Sequence, residues 1–163
     1  MEENNPIIDY MGTQRWYQND YIFFCAQKNK INMEENNPII DYMGTQRWYK
    51  NGQCHRDNDQ PAVIKSDGEQ IWYQNNRIHR DNDLPAVIKS DKTQVWWENN
   101  QIHRDNDLPA IIESNGTLMW YQNSLPHRDN NLPAVIQSNG EMKWYKNGIK
   151  QKEGEIDAVN IKG

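Results

Sequence analysis

The residues of this chain that could carry chemistry are grouped in one short segment, His-Arg-Asp-Asn-Asp, whose last residue is Asn in the final copy. The copies begin at His55, His79, His103 and His127, each 24 residues after the one before. Histidine can transfer protons near neutral pH or bind a metal, and Asp and Asn supply oxygen ligands. The segment therefore raises three kinds of chemistry: acid–base catalysis, calcium binding and zinc binding.

Catalysis needs more groups than this segment contains. His-Arg-Asp is also part of the catalytic loop of protein kinases, where it operates with a downstream Asn, an Asp-Phe-Gly motif and a Gly-rich loop. That set is missing from this sequence. A segment repeated four times without a convergent nucleophile or pocket does not meet the requirements of an active site. We therefore predict that the chain is not an enzyme and uses no cofactor.

Metal binding has partial support. Asp57 and Asp59 place oxygens at alternate positions, as calcium loops do, but a full loop needs about six oxygens, and here a polar or apolar residue and Pro follow. Successive histidines would lie ~10 Å apart, two strand spacings, which is too far to share one zinc ion. We predict no metal site and keep a calcium-stabilised rod as an alternative. In the structural interpretation, His packs beside Trp, Arg pairs with Asp of a neighbouring unit, and Asp and Asn close a turn.

Tryptophan and proline follow the same period as histidine. The tryptophans are Trp48, Trp72, Trp96, Trp120 and Trp144, and the prolines are Pro61, Pro85, Pro109 and Pro133. A fixed period between 20 and 50 residues is typical of repeat architectures, in which one small unit stacks on its neighbours.

The first half of each unit has the pattern of a β-hairpin. Asp67-Gly68 separates two runs that carry apolar residues, which predicts a two-residue type I′ turn. Corresponding turns are predicted at 91–92, 115–116 and 139–140. This register pairs Ile64 with Ile71 and Val63 with Trp72. Because side chains alternate along a strand, Ile64 and Ile71 would share a face opposite to the tryptophan.

A second turn follows the aromatic pair of each unit, at Asn51-Gly52, Asn75-Asn76, Asn99-Asn100, Asn123-Ser124 and Asn147-Gly148. Asn tolerates the left-handed backbone region better than other non-glycine residues. Folding back here places Ile78 opposite Tyr73 and His79 opposite Trp72. No window shows helical spacing of apolar residues. The predicted fold is all-β: one elongated, solenoid-like sheet of stacked β-hairpin repeats.

The two ends depart from the regular array. Residues 1–17 are identical to residues 33–49, and the linker 21–32 contains both Phe residues of the chain. We interpret 1–32 as a duplicated, irregular leader and 33–163 as the repeat array. At its end, Ala158 and Val159 fall on the positions of Ala62 and Val63, which indicates a degenerate C-terminal cap.

Composition restricts the function classes. The net charge of −5 disfavours nucleic-acid binding, which usually needs a basic stripe. Hydrophobic residues make up only 36% of the chain, yet seven Trp and eight Tyr recur in register, as expected of a thin ordered fold and not of a disordered chain. No apolar run reaches the ~18 residues that span a bilayer. Cys25 and Cys54 lie outside the recurring positions, and we predict reduced thiols in a cytoplasmic protein.

The recurring unit, Trp-Tyr-x-Asn-Gly-x-x-His-Arg-Asp-x-Asp-x-Pro-Ala-x-Ile-x-Ser-Asp/Asn-Gly, resembles the MORN repeat. It is most similar to the divergent MORN-like units of proteins from giant DNA viruses and some bacteria, and the resemblance covers residues 38–149. It implies stacked hairpins in one twisted sheet used as a scaffold or binding surface, in host cytoplasm if the protein is viral. The family's Gly-x-Gly after the hairpin is replaced here by Asp-x-Asp-x-Pro-Ala, which weakens the phospholipid binding proposed for the family.

The leading hypothesis from the sequence is a non-enzymatic scaffold that binds an unknown protein partner through a stripe of aligned side chains. The candidate stripe consists of Trp48, Trp72, Trp96, Trp120 and Trp144 with His55, His79, His103 and His127. The alternative to it is peripheral membrane or phospholipid association through Phe23-Phe24 of the leader.

Residues 33–163 should fold without the first copy, because stability in a repeat array comes from each unit and its interfaces. Deleting 1–32 should lower the urea midpoint of unfolding less than deleting the internal unit 61–84. An unfolded or insoluble truncated chain, with a folded internal deletion, would show that the leader is an essential cap.

Overall fold

The computed structural model describes residues 37–151 and, by backbone pairing, the two short strands at 7–8 and 14–15. Every regular element within these residues is a β-strand, and residues 37–151 contain no helix. The chain divides into two compact units, residues 1–33 and 34–163. The predicted all-β class is therefore confirmed, and the predicted cap at 158–159 and the linker 21–32 lie outside the described residues.

The strands are numbered in chain order, and each has two residues. The first unit holds β1 (Ile7–Ile8) and β2 (Gln14–Arg15). The strands of the long sheet are β3 (Ile39–Ile40), β4 (Gln46–Arg47), β7 (Val63–Ile64), β8 (Gln70–Ile71), β11 (Val87–Ile88), β12 (Gln94–Val95), β15 (Ile111–Ile112), β16 (Leu118–Met119), β19 (Val135–Ile136) and β20 (Met142–Lys143). The strands of the short ribbons are β5 (Tyr49–Lys50), β6 (Gln53–Cys54), β9 (Tyr73–Gln74), β10 (Arg77–Ile78), β13 (Trp97–Glu98), β14 (Gln101–Ile102), β17 (Tyr121–Gln122), β18 (Leu125–Pro126), β21 (Tyr145–Lys146) and β22 (Ile149–Lys150).

One ten-stranded antiparallel sheet connects the repeats. Its strands follow one another in chain order, from β3 and β4 at one end to β19 and β20 at the other. Ile71 pairs with Val63 of its own hairpin and with Val87 of the next. The same two pairings recur along the array. The second strand of each hairpin therefore pairs with the first strand of its own hairpin and with the first strand of the next one.

The register of each hairpin differs by one residue from the sequence-based prediction. Val63 pairs with Ile71, and Ile64 pairs with Gln70. The predicted pairs Ile64–Ile71 and Val63–Trp72 are therefore wrong, as is the prediction that Ile64 and Ile71 share a face. Val63 is 6% exposed and Ile64 is more exposed. A shift of one residue in register exchanges the two faces of a strand, so Val63 and not Ile64 lies on the same face as Ile71.

The geometry of the turn explains the slip. The N–H of Lys65 donates to the carbonyl of Glu69, and the N–H of Gly68 donates to the carbonyl of Lys65. Gly68 has a φ of +89°, while Asp67 is not in the left-handed region. This is a three-residue loop in which a type I turn is followed by a left-handed glycine bulge, and not the two-residue type I′ turn that Asp-Gly also suits.

The second turn of each unit forms as predicted. Asn75 and Asn76 have φ values of 50° and 64°, and Ile78 pairs with Tyr73. Successive ribbons are linked by the turn: the N–H of Asn100 donates to the carbonyl of Ile78, and its side-chain Oδ1 accepts the N–H of Ile78 at 2.7 Å. Asn at this position thus both permits the turn and satisfies the edge of the preceding ribbon.

The core is a row of small and aromatic residues along the array. Ala62, Ala86, Ala110 and Ala134 are 0% exposed. The N–H of Trp96 donates to the carbonyl of Ala110 at 2.8 Å, and each internal tryptophan makes the equivalent bond to the next repeat. Trp96 lies between a strand of the long sheet and a strand of the ribbon. At this residue a buried side chain and a backbone hydrogen bond to the next repeat occur together.

The hairpin of the first unit repeats the one at the start of the array. Ile7 pairs with Arg15 as Ile39 pairs with Arg47. The identical sequences thus form the same hairpin in the same register.

Replacing Lys92 with glycine should stabilise the protein by about 1 kcal/mol. Lys92 has a φ of 73°, a left-handed conformation that costs a non-glycine residue roughly 1–2 kcal/mol. The control is Gly116→Lys at the equivalent position, where a Cβ would meet no atom within 4 Å and only backbone strain should appear. Urea midpoints that do not change in opposite directions would contradict this account of the turn.

Candidate interaction surface

The His-Arg-Asp segments form loops that leave the ribbons and lead into the next hairpin. Asn82 and Asp83 both adopt left-handed φ values, 61° and 53°, and the other copies have the same conformation. The N–H of Leu84 donates to the carbonyl of Asp81 and closes the turn. Asp and Asn are the non-glycine residues best suited to this backbone, which explains their place in the segment.

The tryptophans lie beneath these loops. Trp48, Trp72, Trp96 and Trp120 are between 4% and 7% exposed, and Trp144 is partly buried. The indole N–H of Trp96 donates to the carbonyl of Asp83 at 2.9 Å, and Trp72, Trp120 and Trp144 bond the preceding loop in the same way. These rings belong to the core because the loop folds over them, and binding of a partner by the candidate stripe stays a prediction.

Each loop arginine covers a tryptophan, and the arginines of the last three loops also reach back to the preceding loop. The guanidinium of Arg104 stacks 3.8 Å from the centre of the Trp96 ring. Its Nε and Nη2 donate to the two carboxylate oxygens of Asp83 at 2.8 and 2.9 Å, and its Nη1 donates to the carbonyl of Pro109. We call this group the Trp-Arg-Asp cluster.

The cluster recurs with unchanged geometry. Its copies are Trp72-Arg80-Asp59, Trp96-Arg104-Asp83 and Trp120-Arg128-Asp107. The predicted pairing of Arg with Asp across units is confirmed. In each copy the arginine holds the pKa of the aspartate below its usual range through the paired hydrogen bonds.

The histidines begin the loops, and their side chains are mostly buried. Nε2 of His79 lies 3.0 Å from Oδ1 of Asp81, two residues on, and the N–H of His79 donates to the carbonyl of Trp72, which confirms its predicted position. His127 is buried, and its Nδ1 accepts the N–H of Asn147 at 3.0 Å. Nδ1 of His55, His79 and His103 is buried without a hydrogen-bond partner. The candidate histidines therefore contribute little open surface.

The exposed part of each loop is acidic and polar. Asp57, Asp81, Asp105 and Asp129 have side chains between 50% and 77% exposed. Shallow cavities separate consecutive loops, with volumes of about 220 Å³ between the loops at His55 and His79 and about 160 Å³ between those at His103 and His127. These carboxylates and the Asn beside each one form an exposed surface that the candidate stripe does not include. The sequence does not tell which Asp of a loop is exposed and which pairs with arginine, because this depends on how the loop folds.

Metal ligands converge at one place within residues 37–151. Glu98, His103 and Asp105 bring one ligand atom each within 4.8 Å of one another. The calcium-stabilised rod needs the carboxylates of the loops as calcium ligands. Both carboxylate oxygens of Asp83 accept hydrogen bonds from Arg104, so Asp83 does not contribute to a calcium loop.

Comparison with known proteins gives no relationship: no family model, no curated protein and no solved structure matches this chain. Within the part of the chain that the structure describes, no helix is long and apolar enough to cross a membrane.

The Trp-Arg-Asp cluster predicts a defined loss of stability in acid. Asp107 has a lowered pKa in the folded state, so its ion pair with Arg128 contributes stability above the unfolded pKa of about 3.9 and loses it as the pH falls through the folded value. The stability that Asp107→Asn removes at pH 6 should therefore shrink below about pH 4. Urea midpoints of both chains between pH 6 and pH 2.5 test this, and a difference that stays constant with pH would contradict it.

Proposed function

We propose that the chain is a MORN-like, non-enzymatic repeat scaffold that binds a protein partner through the face formed by its His-Arg-Asp loops. The observation that carries the proposal is the recurrence of one exposed polar loop on one continuous sheet. Repeat arrays commonly use such extended surfaces for binding.

The loops are held in shape before any partner binds. Arg104 connects its own loop to the preceding one through Asp83 and rests on Trp96, and the loops at His79 and His127 repeat the arrangement. A surface that is ordered in the free protein loses less conformational entropy on binding. The arginine of the segment that resembles a catalytic motif thus has a structural role, and the Asp that follows it and the next Asn are left to face a partner.

The chemistry of the face favours a partner with basic or amide side chains. The outward carboxylates repeat once per unit, and the cavities of 160–220 Å³ between loops have room for one side chain each. Opposite charge on the partner would steer association and set the register of binding. An extended segment with a cation at each repeat spacing would satisfy several loops at once.

Two alternatives remain as proposals. Peripheral membrane association through Phe23-Phe24 depends on residues outside those described, and an acidic loop face is repelled by anionic lipid. A calcium-stabilised rod would need oxygens beyond those that the loops bring together. A cytoplasmic location, in a host cell if the protein is viral, fits the scaffold proposal.

Site-specific photo-crosslinking tests the binding face. A benzophenone side chain at Asp81 places the probe on the loop face, and one at Ser90 places it on the exposed hairpin tip as a control. We expect protein crosslinks in the native cell from Asp81 and few from Ser90. Crosslinks from Ser90 alone, or co-sedimentation of the full chain with phosphatidylserine vesicles without protein crosslinks, would reject the proposal.

A further inference from the structure

One position on the ribbon strand beside each loop differs between repeats. Lys50 donates from Nζ to Oδ2 of Asp57 at 2.7 Å, and Gln74 donates from Nε2 to Oδ2 of Asp81 at 2.7 Å. The third repeat has Glu98 at this place, where it meets Asp105. A donor in the first two repeats is thus replaced by a second carboxylate.

The ammonium group of Lys50 shows that this place accepts a cation. In the third repeat no lysine or arginine of residues 37–151 forms an ion pair with Glu98 or Asp105. Ligand atoms of Glu98, His103 and Asp105, one from each, lie within 4.8 Å of one another, and Nε2 of His103 is 3.0 Å from Oδ1 of Asp105. Two neighbouring carboxylates repel each other, and a positive charge bound between them lowers this repulsion. The imidazole beside them offers a nitrogen as a further ligand. Mixed nitrogen and oxygen donors of this kind suit divalent first-row transition metals better than calcium or magnesium.

The tautomer of the histidine decides whether Nε2 can bind a metal. Nδ1 of His127 accepts the N–H of Asn147, so Nδ1 carries the lone pair and Nε2 must hold the proton of the neutral ring. Nδ1 of His103 has no hydrogen-bond partner. Nε2 of His103 lies 3.0 Å from Oδ1 of Asp105, which accepts its N–H as long as no metal is bound. Because no donor occupies Nδ1, the proton can move to Nδ1 when a metal takes the lone pair of Nε2.

From these observations we propose that Glu98, His103 and Asp105 form a binding site for one divalent transition metal ion, such as Zn²⁺ or Ni²⁺. The other repeats lack part of the site: the first and second have Lys50 and Gln74 in place of the glutamate, and in the fourth Nε2 of His127 must keep its proton. Because Asp105 is 77% exposed, water completes the coordination and the ion exchanges with solvent.

Zinc titration of the untagged full chain by isothermal calorimetry tests the site. We expect one site, and a loss of affinity of at least about tenfold in Glu98→Gln, since even outer-shell changes at metal sites cost 10–100-fold. This variant reproduces the glutamine of the second repeat, so its fold is already present within the chain. Unchanged affinity in Glu98→Gln, or no binding to the wild-type chain, would overturn the proposal.

Two gain-of-site variants separate this site from adventitious binding at Cys54 or other histidines. Gln74→Glu should add a second zinc site, because the second repeat then has the same three ligands and an unpartnered Nδ1 at His79. Gln122→Glu should add none, because the tautomer of His127 is set by Asn147. A stoichiometry of one in Gln74→Glu, or of two in Gln122→Glu, would contradict the ligand set or the role of the tautomer.

Discussion

The structure depends on one interaction: an arginine that lies on a tryptophan and pairs with an aspartate of the preceding loop. The strands of this chain have two residues each, so the ladders alone join neighbouring hairpins through few hydrogen bonds. The Trp-Arg-Asp cluster adds a charge-assisted, bidentate pair and a stacked ring between each of the three pairs of consecutive loops. Two of its three residues are charged, which explains how a chain with a mean hydropathy of −1.10 forms an ordered array.

This constraint also explains the chemistry of the loops. In the loops at His79, His103 and His127, the arginine of His-Arg-Asp contacts a tryptophan and pairs with the Asp of the preceding loop, which gives this arginine a structural role. What remains exposed is the carboxylate after each arginine and the asparagine beside it. A change in the neighbouring ribbon then alters the local chemistry: Lys50 neutralises this carboxylate, whereas Glu98 adds a second one. Repeats with one backbone can thus differ in what they bind.

The sequence predicts most of the fold and less of the site. The period, the Asn turns at residues such as Asn75 and the pairing of Arg80 with Asp59 follow from residue types and spacing. The register at Ile64 does not, because Asp-Gly suits both a two-residue turn and a glycine bulge. The burial of Trp96 was also missed, since strand alternation cannot show that a loop folds over one face. The position of Glu98 beside Asp105 depends on the ribbon pairing with the loop, which local patterns do not specify.

A double-mutant cycle on Arg104 and Asp83 tests the central claim most directly. The single variants Arg104→Gln and Asp83→Asn and the double variant are compared with the wild-type chain by urea unfolding at neutral pH. Because Arg104 is largely buried and Asp83 is half exposed, we expect a favourable coupling free energy of about 1 kcal/mol that weakens in 1 M salt. A coupling free energy near zero, with additive single effects, would show that the junctions are held by the backbone ladders and not by these clusters.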